Sequence, residues 1–318
     1  MMRLAAALCI ALTMLAGEVR TAAASPVAAP VASLAGKIWQ ADGRRFTSFD
    51  TLLQAARTSD IVLLGETHDS LAHHAVQLKI LAGLATTMPA PVLVMEQYDL
   101  GQQARLDAIL HATDTPQQKL DALQALMDPG WDWAGYQPLL ATAVQYRLHI
   151  VAANIARETL REIGRKGLGA LGTGEAARLG LTQDWQPAQQ RQLASDVADS
   201  HCGALPPAAV IAIALSQRVR DAIMADRLLT AGPGTVVAIL GRGHVRRDLA
   251  VPLYLAARAP RRTVLAIGLS EIGTTSKPTD YAEGALGRLY DYVVFADAVI
   301  RREDPCAQFV LPTPKIAP

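Results

Sequence analysis

Short apolar runs that stop abruptly at ionisable residues set the pattern of this chain. Ile61-Val62-Leu63-Leu64 leads straight into Gly65-Glu66-Thr67-His68-Asp69. An unbroken apolar run of this length reads as a strand buried on both faces. Gly65 is expected to turn the chain at the strand end. A helical pattern follows at Leu71, Ala75, Leu78 and Leu81, predicting a helix from about Ser70 to Leu84. The acid and the imidazole thus fall on a strand-to-helix connection, where open α/β sheets place ligand chemistry.

The motif recurs along the chain. Pro91–Met95 ends in Glu96-Gln97-Tyr98-Asp99, His149–Ala152 ends at Asn154 with Arg157 just beyond, and Thr235–Leu240 ends in Gly241-Arg242-Gly243-His244. Further strands are predicted at Arg262–Leu269 and Tyr292–Ala296, with a hairpin around Ala41-Asp42-Gly43-Arg44. Helices are predicted over 50–56, 101–127, 137–146, 187–199 and 206–230. Pro129 to Tyr136 reads as an aromatic turn and Gly164 to Gly174 as a loop. Alternating strands and helices predict an α/β fold, a mainly parallel sheet flanked by helices. The helical insertions at about 97–145 and 156–232 are long for simple crossovers, so they are assigned to a cap at one end of the sheet.

Composition narrows the function class. Hydrophobic residues make up 51% and aromatics only 5%, so the core is aliphatic. The formal charge of +1 and the shortness of the arginine clusters give no footprint for nucleic acid. Arg3 followed by apolar Leu4–Ala16 and by Ala22-Ala23-Ala24 reads as a cleaved signal peptide over 1–24. Residues 25–35 form a flexible lead, 36–304 a single α/β domain and 305–318 an extended tail. Leu15-Ala16-Gly17 begins a lipobox, but Glu18 stands in place of its cysteine. The expectation is an exported, soluble protein, periplasmic in a Gram-negative cell, with no transmembrane segment. After cleavage Cys202 and Cys306 remain, a disulfide candidate in an oxidising compartment.

In a parallel sheet the four polar strand ends point the same way. Glu66, His68, Glu96, Asn154 and His244 are therefore expected in one crevice. Taken singly, Glu66 could cap the next helix and His244 could be an ordinary loop residue. Together, Glu66, His68, Glu96 and His244 offer oxygen and nitrogen donors for a divalent metal. They also suit acid–base chemistry or the polar groups of another small ligand. There is no Gly-x-Ser-x-Gly elbow, no His-Glu-x-x-His helix and no Gly-Lys-Ser/Thr phosphate loop. His73 and His74 are expected to face in different directions, one to the crevice and one to solvent.

One family carries these features in this order. Leu64–Asp69, His73-His74 with Gln77, Met95-Glu96, Trp133 with Tyr136, Ala153-Asn154, His201-Cys202, Arg220-Asp221 with Met224-Ala225, and Gly241–His244 with Val251-Pro252 resemble the ChaN-like haem-binding lipoproteins. These are grouped with the Tiki and TraB proteins and the erythromycin esterases. The resemblance spans about residues 36–270. It implies an α/β fold, haem binding tied to iron uptake, a tyrosine on the iron, and haems held between the subunits of a homodimer. Tyr98, at a strand end, leads as that tyrosine, with Tyr136 and Tyr254 as alternatives. His74, Asn154, Arg157 and His244 are the other residues assigned to the haem. The Tiki and esterase branches imply a different outcome, a metal-dependent hydrolase built on Glu66, His68, Glu96 and His244. The missing lipobox cysteine means that lipid anchoring does not carry over.

Overall fold

The computed structural model describes residues 34–183, 185–272, 286–299 and 306. The expected signal peptide, most of the lead, and the tail apart from Cys306 lie outside the described residues. In chain order the elements begin with β1 (Ile38–Gln40), β2 (Arg45–Thr47), α1 (Phe49–Arg57), β3 (Ile61–Glu66) and α2 (Leu71–Ala85). They continue with β4 (Val92–Asp99), α3 (Gln103–His111), α4 (Pro116–Leu126), α5 (Trp133–Tyr146), β5 (Ile150–Asn154) and α6 (Arg157–Lys166). Then come α7 (Glu175–Arg178), α8 (Pro187–Ser200), α9 (Pro207–Thr230), β6 (Val236–Gly241) and α10 (Val251–Arg258). The last are β7 (Val264–Ile272), α11 (Leu286–Leu289) and β8 (Tyr292–Asp297).

The eight strands form one sheet in the order β2-β1-β8-β7-β3-β6-β4-β5. From β8 to β5 all neighbours are parallel, and the β1–β2 hairpin adds antiparallel to β8. The predicted parallel α/β sheet is therefore the observed one. Its centre is β3 between β6 and β7, and Leu64 lies beside Ile239 and Ile267. Side chains alternate across a strand, and the core divides accordingly. Val62, Leu64, Leu93, Met95, Val237 and Ile239 pack on one face against α1 to α5. Ile61, Leu63, Val92, Val94, Val236 and Ala238 pack on the other, against α6, α7, α9 and α10. The two long helical insertions thus cover opposite faces, and both reach the carboxyl ends of the strands.

Three local readings are corrected. Gly65 does not turn the chain; β3 runs on through it to Glu66. The glycine is needed because a Cβ there would come within 3.0 Å of the Arg242 Cα and the Val245 Cβ. The aromatic turn ends early, because Asp132 accepts from the Ala134 N–H and starts α5 at Trp133. The stretch from Gly164 is not all loop, since α6 continues to Lys166 and a 3-10 turn covers Gly167–Leu171.

Cys202 and Cys306 are joined, with Cα atoms 5.7 Å apart across 104 residues of sequence. Closing so long a loop contributes about 4–5 kcal/mol in the chain-entropy account of disulfides. Reduction should therefore lower the urea midpoint clearly while leaving the far-ultraviolet spectrum helical. An unchanged midpoint in reductant would contradict this.

Candidate functional site

The alternation that divides the core also sets the site. Glu66 continues the register of Val62 and Leu64, and Glu96 continues that of Val92 and Val94. The two buried acids therefore leave the sheet on opposite faces of its carboxyl edge. Glu66 meets α2 and α5; Glu96 meets α9 and the turn after β6.

On the first face Glu66 is 2% exposed. Its Oε1 accepts from the Tyr136 hydroxyl at 2.5 Å and the Gln97 amide at 3.2 Å, and lies 3.0 Å from His68 Nδ1. Its Oε2 lies 3.3 Å from His74 Nε2, close enough for an ion pair but not aligned as a hydrogen bond. Burial opposes ionisation of Glu66, but His68 and then His74 outweigh it and hold the carboxyl below its ordinary range. Tyr136 is fully buried, and burial together with the Glu66 charge pushes its hydroxyl well up. Glu66 is not a helix cap, since Ser70 caps α2 by accepting from the His73 N–H.

The two neighbouring histidines do not divide between crevice and solvent. His73 and His74 are both buried, because α2 is covered on more than one side. His73 Nδ1 accepts the Thr67 N–H at 3.0 Å, and burial lowers its pKa to about 4, so the ring is neutral. His74 packs on Tyr136 with ring centroids 4.5 Å apart. Only a glycine fits beside it, as a Cβ on Gly135 would stand 2.1 Å from His74 Nδ1.

On the second face Glu96 is 1% exposed. It is ion-paired with Arg220, accepts the Gly241 N–H at 2.7 Å, and lies 3.7 Å from His244 Nε2. Burial works against its charge, but Arg220 and then His244 hold its pKa down at about 2. Arg220 also donates to Asn154 Oδ1 at 3.2 Å and Gln217 Oε1 at 3.3 Å. His244 Nδ1 sits 2.6 Å from Asp221 Oδ1, and burial pushes the Asp221 pKa up against that imidazole.

His68 links the two faces. Its ring lies against Gly241, where a Cβ would approach Nε2 and Cε1 to 2.9 Å. It also meets Trp131 edge-on at 4.8 Å between centroids. Its side chain is 45% exposed, whereas those of His74 and His244 are 4% and 10%. Partial burial opposes its charge, but Glu66 and then Glu96 raise its pKa. A crevice of about 430 Å³ opens here, lined by Glu66, His68, Glu96, Arg220, Arg242 and His244 among others, with α8 as a side wall.

The structure thus gathers Glu66, His68, His74, Glu96, Asn154 and His244 at the strand ends. Arg157 stands outside the crevice, its side chain 71% exposed and its guanidinium 3.8 Å from Asp128, beside the turn that carries Trp131. Tyr98 does not stand at the crevice mouth. Between Met95 and Asp99, β4 advances four residues while β5 advances from Ala152 only to Asn154. The irregularity turns Tyr98 into the core, where its hydroxyl donates to the Leu123 carbonyl at 3.1 Å. Burial pushes its pKa far up. Tyr254 is buried as well. Glu66, His68, Glu96 and His244 are not placed around one point: among the described residues no three His, Cys, Asp or Glu side chains are placed to share an ion. The physical reason is that the two carboxylates face opposite sides of the sheet, each already holding its own partners.

Gln97 is a site residue that sequence reasoning passed over. Its signal was the alternation itself, which puts the residue after Glu96 on the face of Glu66. Buried polar atoms without hydrogen-bond partners among the described residues gather on that face: Glu66 Oε2, both His74 nitrogens, Gln77 Oε1, Gln97 Oε1 and His73 Nε2. Such a concentration is unusual for plain core, where buried polar side-chain atoms are ordinarily hydrogen-bonded.

The depressed pKa of Glu96 carries a sign. Its stabilisation is complete above the ordinary value of 4.5 and is lost as pH falls towards about 2. The size is on the order of 3 kcal/mol. Urea midpoints measured against pH should fall less steeply over that interval in Glu96→Gln than in the parent chain. Parallel curves would contradict the assignment.

Comparison with known proteins agrees with this fold. The family model for haem-binding uptake proteins of the Tiki superfamily, ChaN, matches residues 52–255, well over half of the chain. No curated protein sequence matches the chain. Among solved structures, the ChaN of Campylobacter jejuni with cofacially bound haem is 20% identical, over 81% of this chain and 95% of that one, with a TM-score of 0.64. The type III effector HopBA1 is 15% identical, covering 79% and 93%, with a TM-score of 0.43. A mutant of the erythromycin esterase EreC is 15% identical, covering 74% and 77%, with a TM-score of 0.44. The family match extends from α1 through α10 and so contains every residue of the strand-end cluster: this chain belongs to the ChaN family of haem-binding uptake proteins in the Tiki superfamily.

Proposed function

We propose that this chain binds ferric haem at the lip of the strand-end crevice and serves haem uptake outside the cytoplasm. The observation that carries this is the state of His68. Among the cluster's imidazoles it is the open one. Its Nδ1 is fixed by the Glu66 carboxylate, the arrangement by which proteins orient a metal-facing imidazole. Trp131, edge-on to His68, supplies an aromatic wall for the porphyrin, and Arg157, outside the crevice but beside the turn that carries Trp131, is an exposed cation for a propionate. The buried tyrosines Tyr98, Tyr136 and Tyr254 are poor ligands by comparison, because burial keeps their hydroxyls protonated. The iron ligand proposed here is therefore His68, where the family resemblance implied a tyrosine.

Export is supported by the Cys202–Cys306 bond, since disulfides persist in oxidising compartments. Among the described residues no helix is long and apolar enough to cross a membrane. A hydrolytic centre finds less support. Glu96 is tied to Arg220 and Glu66 to Tyr136, so neither carboxylate is poised as a base near neutral pH.

Titration of the full, disulfide-bonded chain with ferric haem should give a saturable shift of the Soret band. His68→Ala should weaken it by roughly tenfold or more, in the range seen when metal-site partners are removed. Arg157→Ala should weaken it less and leave the band position unchanged. No saturable binding, or a band indifferent to His68→Ala, would overturn this assignment.

A further inference from the structure

A second cavity lies at the other end of the sheet. It opens among α3, α4, α5 and the start of β5, and so is separated from the crevice by the length of the strands. Its volume is about 1190 Å³, just above the range of about 300–1,000 Å³ usual for small-molecule sites. The crevice is much smaller. Leu110, Leu120, Val144 and Leu148 give this cavity an apolar lining. Its fixed charges are Lys119 and Arg147 against the single carboxylate of Asp114.

Both cations are held at helix ends. Lys119 Nζ donates to the Leu110 carbonyl at 2.6 Å, beside His111. Arg147 closes α5 in the left-handed conformation, with φ at 54°. For a residue with a Cβ that conformation is unfavourable, and glycine or asparagine is the usual choice there. The chain instead keeps a long, exposed cation at the rim of the cavity.

The two histidines of the lining are oriented by one residue. His111 Nδ1 lies 2.7 Å from the Asp107 carbonyl oxygen. That oxygen can only accept, so Nδ1 carries the proton and Nε2 keeps its lone pair. His149 Nε2 lies 3.2 Å from Asp107 Oδ1, which leaves Nδ1 as its acceptor nitrogen. One ring nitrogen donating to a carbonyl or carboxylate is how metal-binding imidazoles are held. A bare metal ion does not suit the place, because no three ligating side chains converge among the described residues. A metal carried inside a large, flat, apolar group needs only one imidazole from the protein.

The geometry points to a second haem site in this cavity, with His111 as the iron ligand, the leucine and valine side chains against the porphyrin, and Lys119 and Arg147 for its propionates. The inference rests on the reading that this chain binds haem, but not on where the first haem sits.

The test counts bound ferric haem per chain in the full-length, oxidised protein. The parent should bind two equivalents. His111→Ala, a change at an exposed position, should bind one and unfold at the parent's midpoint. Added imidazole should restore the spectrum of the lost equivalent. Metal-free protoporphyrin should bind the parent and His111→Ala about equally. His68→Ala should weaken the other equivalent by roughly tenfold or more. One equivalent in the parent that is indifferent to His111→Ala overturns the second site, and so do two equivalents that both survive it. One equivalent lost in His111→Ala but kept in His68→Ala overturns the crevice assignment and leaves the second site standing.

Discussion

The negative charge of Glu66 is the constraint on which the strand-end site depends. A carboxylate at the end of a buried central strand is costly unless it is answered by partners. Here the hydroxyl of Tyr136 on α5, the amide of Gln97 on β4, the imidazole of His74 on α2 and that of His68 in the turn before α2 answer it. Each of these requirements reaches further into the fold. His74 can stand beside Glu66 only because residue 135 is glycine. Tyr136 can reach it only because α5 starts at Trp133 rather than four residues later. His68 can lie across the sheet edge only because residue 241 has no Cβ. Removal of Glu66 would leave buried donors facing one another, a larger loss than that of a single hydrogen bond.

The second acid is neutralised by a different route. Arg220 meets Glu96 with a guanidinium that also ties Asn154 to α9. The two carboxylates therefore belong to separate networks, joined at the sheet edge by His68. This separation explains why residues that look like one donor set in the sequence lie in two networks in the fold. It also leaves a single imidazole open to a ligand while the rest of the cluster holds it in place.

Much of this was legible in the sequence, because strands buried on both faces announce themselves as unbroken apolar runs. Ile61–Leu64, Val92–Met95 and Val236–Leu240 were readable as parallel strands, and the polar residues that end them were readable as one cluster. The same logic fails where the backbone departs from regular alternation. Tyr98 follows Glu96 by two residues and ought to share its face; the irregularity in β4 against β5 sends it into the core instead. The orientation of His73 and His74 depends on how many sides of α2 are covered, which no pattern within α2 reveals. The hydrogen-bond partners of Glu66 and Glu96 lie up to 145 residues away along the chain, and Arg220 carries no local mark of its role.

The central claim is that His68, oriented by Glu66, faces the iron of bound haem. Crystals of the haem-loaded chain, with anomalous scattering recorded at the iron edge, test it most directly. An iron peak is expected at bonding distance from His68, with the Glu66–His68 contact intact. Iron peaks only elsewhere, with His68 still against Trp131 and bare of ligand, would contradict it.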